Sequence, residues 1–492
     1  MDAKILPDAS MAANYATVGV PVVEALSLRP LFISMLFISL CVTILVLNRS
    51  KLTKFPDVTV ATSMFDIGNS KARRQFVFDS IKLIKDGFAE ASGLLNSSFS
   101  FSSNANLICQ FLSDIPGFEI FKTGFLTSLV TDVTRVKITQ SLEKKEFVLK
   151  SALLDLVARI SSRVFLGDVG CRNPAWLNIT KEFTVNSFMA CVELRKYPPG
   201  IRHIVHWFLP ECKTVRVQGQ MARNIINDIL EARQLEDKQR LAMGLKAESR
   251  NDAIEWFDQM AKGHSYDVGR AQIALAMAAV HTTTDLLTQT LFDIMDHPQL
   301  IPVLREEIVT VINQDGWEKT ALYKLKLMDS VVKESQRIKP PNVVSMNRLA
   351  LKDVKLPDGS ILPAGSKMGV SAHSMWDPSV HPDPKSWDGY RWLRKRQQVG
   401  QENLHQLATT SPQHIAFGHG KHSCPGRFFA ANEIKIALCF LIMNYEFELT
   451  PGVKPEPVLS GIQLDSSPTA RVQVRRREPE LDLLSLLKRS HS

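Results

Sequence analysis

The sequence predicts a mainly α-helical protein with a small β-rich lobe, and three observations carry that expectation. Apolar residues recur at helical spacing over long stretches, above all from Ala271 to Met295. The stretch Val343 to Val370 instead alternates short apolar runs with the turn signals Pro357-Asp-Gly359 and Pro363-Ala-Gly365. After the Ser- and Asn-rich run Asn96 to Asn106 no linker-like stretch occurs, so residues 61–492 are expected to form one large domain in which the helices dominate.

Taken in chain order, residues 1–27 are mixed in character and are assigned to a lumenal segment. Leu31 to Leu47 is seventeen residues without a charge, the short end of what spans a bilayer as a helix, and it is apolar on every face rather than on one stripe. A transmembrane anchor over 28–48 is therefore expected. Arg29 precedes the run and Arg49, Lys51 and Lys54 follow it, which favours a cytosolic C-terminal side. The length of chain before the run argues against a cleaved signal peptide. Residues 49–60, basic and carrying Pro56, read as a tether.

Ala152 to Phe165 has apolar residues at helical spacing. Ala271 to Met295 predicts a helix about 37 Å long at roughly 1.5 Å per residue, stopped by Asp296-His-Pro298. Val331 to Lys339 is a further helix, ended by Pro340-Pro341. Gly389 to Leu393 reads as an aromatic loop, Asn432 to Leu441 as a helix, and Arg471 to Arg477 as a late strand.

Composition excludes more than it selects. The chain has 492 residues, 45% hydrophobic and 22% charged, which is ordinary for a globular protein. A net charge of +9 on this length gives no argument for nucleic acid; it fits anionic lipid or an acidic partner as well as it fits scattered solvated charges. Seven cysteines, with no Cys-x-x-Cys pair, suggest neither a disulfide framework nor a zinc ribbon, and so a reducing compartment.

The strongest local signal is Phe417-Gly-His-Gly-Lys-His-Ser-Cys-Pro-Gly-Arg427. A thiolate metal ligand needs hydrogen bonds and the metal itself to stabilise the deprotonated sulfur. Gly418, Gly420 and Gly426 let the backbone bend close to a flat macrocycle and aim N–H groups at Cys424. Phe417 can limit water access, while His422 and Arg427 are donors for an anionic propionate or for the loop itself. The helix that begins near Phe428 directs its N-terminal dipole at the cysteine. The plain alternative is an inert cysteine in a glycine turn. Three glycines, an aromatic ring and two basic residues around one sulfur weigh against it.

This loop resembles the haem-ligand signature of the cytochrome P-450 family, Phe-Gly-x-Gly-x-(His/Arg)-x-Cys-x-Gly, and matches every fixed position. The resemblance implies the helical prism of that fold and a b-type haem with Cys424 as axial thiolate, a ligand that favours O–O cleavage. It also implies a monooxygenase acting on a lipophilic small molecule. Electrons would come from NADPH through a membrane-bound NADPH–cytochrome P-450 reductase, with cytochrome b5 as a further donor, at the endoplasmic reticulum membrane.

Several other positions take meaning from the same resemblance. Glu334 and Arg337 lie three apart on one helix face, which alone reads as a surface ion pair. The family places such a pair in a buried network with a later arginine, here Arg391. Arg348 and Arg135 stand where propionate partners are usual, although Thr131 replaces the aromatic or histidine usual four residues before Arg135. Thr282, in Ala278-Ala-Val-His-Thr-Thr-Thr284, falls on the threonine of the oxygen-binding stretch. There Ala279 replaces a usual glycine and His281 a usual acid; His281 either relays protons or packs. The stretch is similar to that of fungal members acting on terpenoid skeletons. Substrate contacts are implied for stretches such as Gly461 to Ser467.

One region departs from the family. Only Glu143 to Leu153 joins two segments that are farther apart in related chains. Two alternatives to the monooxygenase stay open: a reductase-independent isomerase or peroxygenase, on account of Ala279 and His281, and a haem-deficient product without enzymatic activity, on account of this shortened region.

Overall fold

The computed structural model describes residues 144–483, apart from 251, 262–264, 317–318 and 357–358. The expected anchor over 28–48, the tether over 49–60 and Arg135 lie outside the described residues. Among those described, no helix is long and apolar enough to cross a membrane.

The fold is built around one long central helix. Strand β1 (Lys145–Val148) runs directly into α1 (Leu149–Gly170), followed by α2 (Pro174–Arg195), the single turn α3 (Arg202–Val205), α4 (Pro210–Ala242) and α5 (Ala253–Ala261). The central helix is α6 (Val268–Asp296), with α7 (Leu300–Asp315), α8 (Lys319–Lys324) and α9 (Lys326–Ile338) after it. α6 packs against α1, α2, α4, α9 and the later α11 (Arg427–Asn444). It is therefore buried on most of its circumference, as its apolar all-round composition requires.

Local chemistry sets the helix ends. The Asn173 side chain accepts from the N–H groups of Ala175 and Trp176 at 2.9 and 3.1 Å, with Pro174 in the first turn where no N–H is needed. Asp267 caps α6 by accepting from Arg270 N at 2.9 Å. The helix stops at His297, whose φ of −127° leaves the helical region immediately before Pro298. Gly167 interrupts α1 with φ +74°; a Cβ there would lie 2.8 Å from an Asp252 carboxylate oxygen, which itself pairs with Arg233.

The β structure is small and antiparallel. β2 (Val344–Leu349) pairs with β5 (Lys367–Ser371) around a bulge between Ser345 and Arg348, and β3 (Val354–Lys355) pairs with β4 (Ile361–Leu362). β6 (Tyr445–Leu449) and β1 flank β9 (Arg471–Arg476), with Lys145 opposite Val474 and Tyr445 opposite Arg476. β7 (Val458–Ser460) and β8 (Gln463–Asp465) form a hairpin. Within the described residues, the helices expected after residue 151, strands between 344 and 371 and the late strand are present.

One expectation is corrected. Gly389 to Leu393 is not all loop: Arg391 opens the short helix α10 (Arg391–Arg396). Its first N–H groups are held by distant chain, Trp392 N and Leu393 N donating to Ser330 Oγ at 3.1 and 2.9 Å, so the local sequence does not reveal it. Within the short connection that ends at Leu153, residues 145–148 form β1 and Leu149 opens α1, a strand and a helix start that the sequence alone does not predict.

Candidate active site

The cysteine loop is closed by backbone bonds that its glycines permit. Gly418 N donates to Ile415 O at 2.8 Å, Ser423 N to Gly420 O at 3.0 Å, and Cys424 N to Phe417 O at 2.7 Å. Gly418 has φ +68°, a conformation that strains any residue with a Cβ even though the space beside it would admit one. Phe417 packs on the main core. Cys424 is half-buried and lies just before Gly426, which caps α11 without a side-chain acceptor. The first N–H groups of α11 thus favour negative charge at the sulfur.

The basic residues around the loop divide into two kinds. Arg427 is engaged locally: its Nη1 donates to Cys424 O at 2.8 Å and its guanidinium carbon lies 4.6 Å from the centroid of the Phe428 ring. His422 and Arg348 are exposed. Arg348 donates to its neighbour Asn347 O at 2.8 Å and pairs with no carboxylate among the described residues. Its strand passes close to the loop, since a Cβ on Gly418 would lie 3.8 Å from Met346 Cγ. The Met346 backbone, at φ +54°, belongs to the bulge that turns β2 there.

On α6 the threonines are separated by exposure rather than by hydrogen bonding. Thr282 Oγ1 donates to Ala278 O at 2.7 Å, but Thr284, Thr288 and Thr290 make the same bond at 2.7 Å one turn back. Only Thr282 among these four is exposed, as is Ala278, while Val280, Thr283 and Thr284 beside them are buried. An open face halfway along a core helix is the space a large planar ligand needs. That face, the half-buried Cys424 and the cation of Arg348, which meets no carboxylate among the described residues, fit a haem.

His281 points elsewhere. Its Nε2 lies 2.8 Å from Lys181 O on α2. A carbonyl only accepts, so Nε2 carries the hydrogen. Burial lowers the imidazole's basicity, against the raising effect of the bond to that carbonyl, with Lys150 lowering it further.

Glu334 gathers the three expected network residues. Arg337 donates to it through Nε and Nη2 at 2.9 and 2.8 Å, and Arg391 through Nε at 2.9 Å. Trp392 Nε1 and Asp388 N complete its shell at 3.1 and 3.3 Å. Arg337 also donates to the carbonyls of Met375 and Pro384, and Arg391 to that of Pro382. All three charges are buried, and each is satisfied. Motif reading passes over Asp285, although a charge in the apolar run after Thr284 by itself demands partners.

Comparison with known proteins agrees with this geometry. The family profile described as Cytochrome P450 matches residues 136–473. The cytochrome P450 monooxygenase calE of Penicillium decumbens is 41% identical over 480 residues, covering 88% of this chain and 92% of that protein. The corresponding values for adrA of Penicillium rubens are 39% over 484 residues, 89% and 94%. For trt6 of Aspergillus terreus they are 40% over 418 residues, 79% and 84%. Among solved structures, retinoic acid bound cyanobacterial CYP120A1 superimposes with a TM-score of 0.58 at 18% identity, covering 76% of this chain and 78% of that one. The fold is thus shared well beyond recognisable sequence similarity.

Proposed function

Since the chain belongs to the cytochrome P450 family and is a monooxygenase of that family, we propose that it oxidises a terpenoid or related lipophilic metabolite in a fungal secondary pathway. Two observations support this reading: the backbone-closed loop at Cys424 and the exposed Thr282 face of α6. The names of the relatives support the reaction class, and the similarity of the Ala278–Thr284 stretch to terpenoid-oxidising members supports the substrate class.

Haem b, once bound, supplies reductive activation of dioxygen and oxygen insertion into a C–H bond. The chain's residues have distinct roles around it. Cys424 would hold the haem iron through its sulfur, in the loop shaped by Phe417, Gly418, Gly420 and Gly426. Arg348 and His422, with Arg135, would hold the propionates. Thr282 Oγ1 donates to Ala278 O, and its remaining lone pairs can accept a hydrogen bond from a water on the open face, so that the proton delivered there comes from solvent and the hydroxyl keeps its own hydrogen overall. The small side chain of Ala278 leaves room there. His281 is a tie between α6 and α2 rather than a relay, because its N–H is committed to Lys181 O. The Glu334 network keeps the cysteine-loop scaffold folded and the haem retained.

Electrons are supplied from NADPH by a cytochrome P-450 reductase, with cytochrome b5 as a second donor. The 28–48 segment anchors the chain in the endoplasmic reticulum membrane with the catalytic domain cytosolic. The test is oxygen uptake by the full chain with reductase and NADPH. A rise on adding terpenoid candidates supports the reading, and no rise with any of them removes it. Turnover of organic hydroperoxides without NADPH would instead favour the reductase-independent alternative. Failure to take up haem would favour the haem-deficient one.

A further inference from the structure

We propose that Asp285 is a positioning residue that sets substrate selectivity by pinning the β7–β8 hairpin beside the open face of α6, an inference that rests on the haem-thiolate reading above. Asp285 follows Thr282 by three residues, so the two side chains are neighbours on the helix surface. Its Oδ1 accepts from Ser466 N and Ser466 Oγ, both at 2.6 Å, and from Lys150 Nζ of α1 at 3.1 Å. Lys150 Nζ also donates to Ser466 O at 3.2 Å and lies 4.0 Å from Asp465. Ser466 is thus held at its N–H, its hydroxyl and its carbonyl by one ion pair. Asp285 and Ser466 are buried, where charge-assisted bonds of this kind are strong.

The rest of the hairpin is fastened to a different part of the site. Val343 N donates to Ile462 O at 2.8 Å, and Leu464 N to Pro341 O at 3.1 Å. Val343, Val344, Ile462 and Leu464 form a buried cluster of their own, apart from the main core. From Val344 the chain continues through Met346, the residue that approaches Gly418 in the cysteine loop. The base of the hairpin is therefore fixed to the helix that carries Thr282, and its tip to the strand that reaches the cysteine loop. With so small a cluster at the tip, the ion pair at the base is what fixes the angle of the hairpin across the site. Because Ser466 is bonded to Asp285, one helical turn from the exposed Thr282, a ligand long enough to extend along that face would meet the hairpin, whereas one that only reaches the iron would not.

The experiment compares the haem-loaded full chain with Asp285→Asn and Ser466→Ala, using two nitrogen ligands as probes. Imidazole reports access to the iron alone, and 1-dodecylimidazole adds a long apolar chain. Binding is read from the ligand-induced shift of the Soret band. Imidazole affinity should stay within about twofold in both variants, while 1-dodecylimidazole should weaken about tenfold, the effect of one hydrogen bond to a charged group. In parallel, amide hydrogen exchange over residues 458–466 should speed up about tenfold in Asp285→Asn, whether or not haem is bound. Equal changes for both ligands, or none for the long one, would overturn the selectivity role. Unchanged exchange would overturn the pinning itself. If the wild-type chain gives no Soret shift, the haem reading fails instead, and the exchange comparison still decides the pinning. Should Asp285→Asn not fold, Ser466→Ala, which keeps the backbone bond and the ion pair, is measured by both readouts and carries the decision alone.

Discussion

Around Glu334 every charge is enclosed and every donor has an acceptor, whereas around Thr282 the central helix offers a bare face with a hydroxyl bonded only to its own backbone. Both regions come from short motifs on helices, and both are polar patches within a hydrophobic domain. The Glu334 network draws its partners from α9, α10 and the chain between residues 375 and 388, so it is over-determined and resists movement. The Thr282 face leaves its chemistry unspent. Scaffold residues are recognised by how completely they are satisfied, and residues of a reaction site by what is left open to a ligand. Glu433 lies between these limits: it is fully buried like Glu334, yet among the described residues its carboxyl has only Ser161 Oγ, at 2.8 Å, as a partner.

The comparison breaks most visibly at Glu334. Replacing it with Ala strands Arg337 and Arg391 in the core without a carboxylate, a loss of about 3–5 kcal/mol. Glu334→Ala should fail to accumulate as folded protein or melt far below the wild type. A melting temperature within ~2 °C of the wild type would show that the network is dispensable. Thr282→Ala should do the reverse, since an exposed side chain changes stability by no more than about 0.5 kcal/mol. Its melting temperature and haem content should match the wild type, while product formed per NADPH falls by roughly 10²-fold and is restored by Thr282→Ser. Undiminished product yield would remove Thr282 from proton delivery.

Glu433 sharpens the contrast through pH. Burial raises its carboxyl from an ordinary 4.5 to about 8, because only a hydroxyl opposes the desolvation. Between those values the unfolded chain has released a proton that the folded chain keeps. The folded state then binds more protons, so this residue makes stability fall as pH rises, by at most ~1.4 kcal/mol per pH unit. Glu433→Gln keeps the shape without the proton and should flatten the melting temperature across this window. A variant with the wild-type pH slope would mean that Glu433 is ionised in the fold.

The smallest effect is expected at His281. His281→Ala removes one hydrogen bond and should cost about 1 kcal/mol of stability, with product per NADPH unchanged. A fall in product per NADPH comparable to that of Thr282→Ala would restore the proton-relay role.

What could be read from the sequence follows from how local each feature is. The cysteine loop is eleven consecutive residues, its turns demand glycines, and α6 advertises itself by length and composition. Glu334 and Arg337 share one turn of helix. Arg391 was reachable only through the family resemblance, because it sits 57 positions from Glu334 and its helix is started by Ser330 rather than by its own sequence. Asp285 and Ser466 are 181 positions apart, and no short pattern links them. β1 carries no local signal for the same reason, as its partner strand lies at the far end of the chain. The direction of the His281 ring, which separates a tie from a relay, depends on α2 and only the folded structure supplies it.

The most direct test of the whole account is the reduced carbon monoxide difference spectrum of the full chain in its membrane fraction, beside Cys424→Ala. The account predicts the long-wavelength Soret band of thiolate-ligated haem in the wild type and its loss in the variant. Folded wild-type protein without that band, or a variant that keeps it, would contradict the assignment of Cys424 as the ligand.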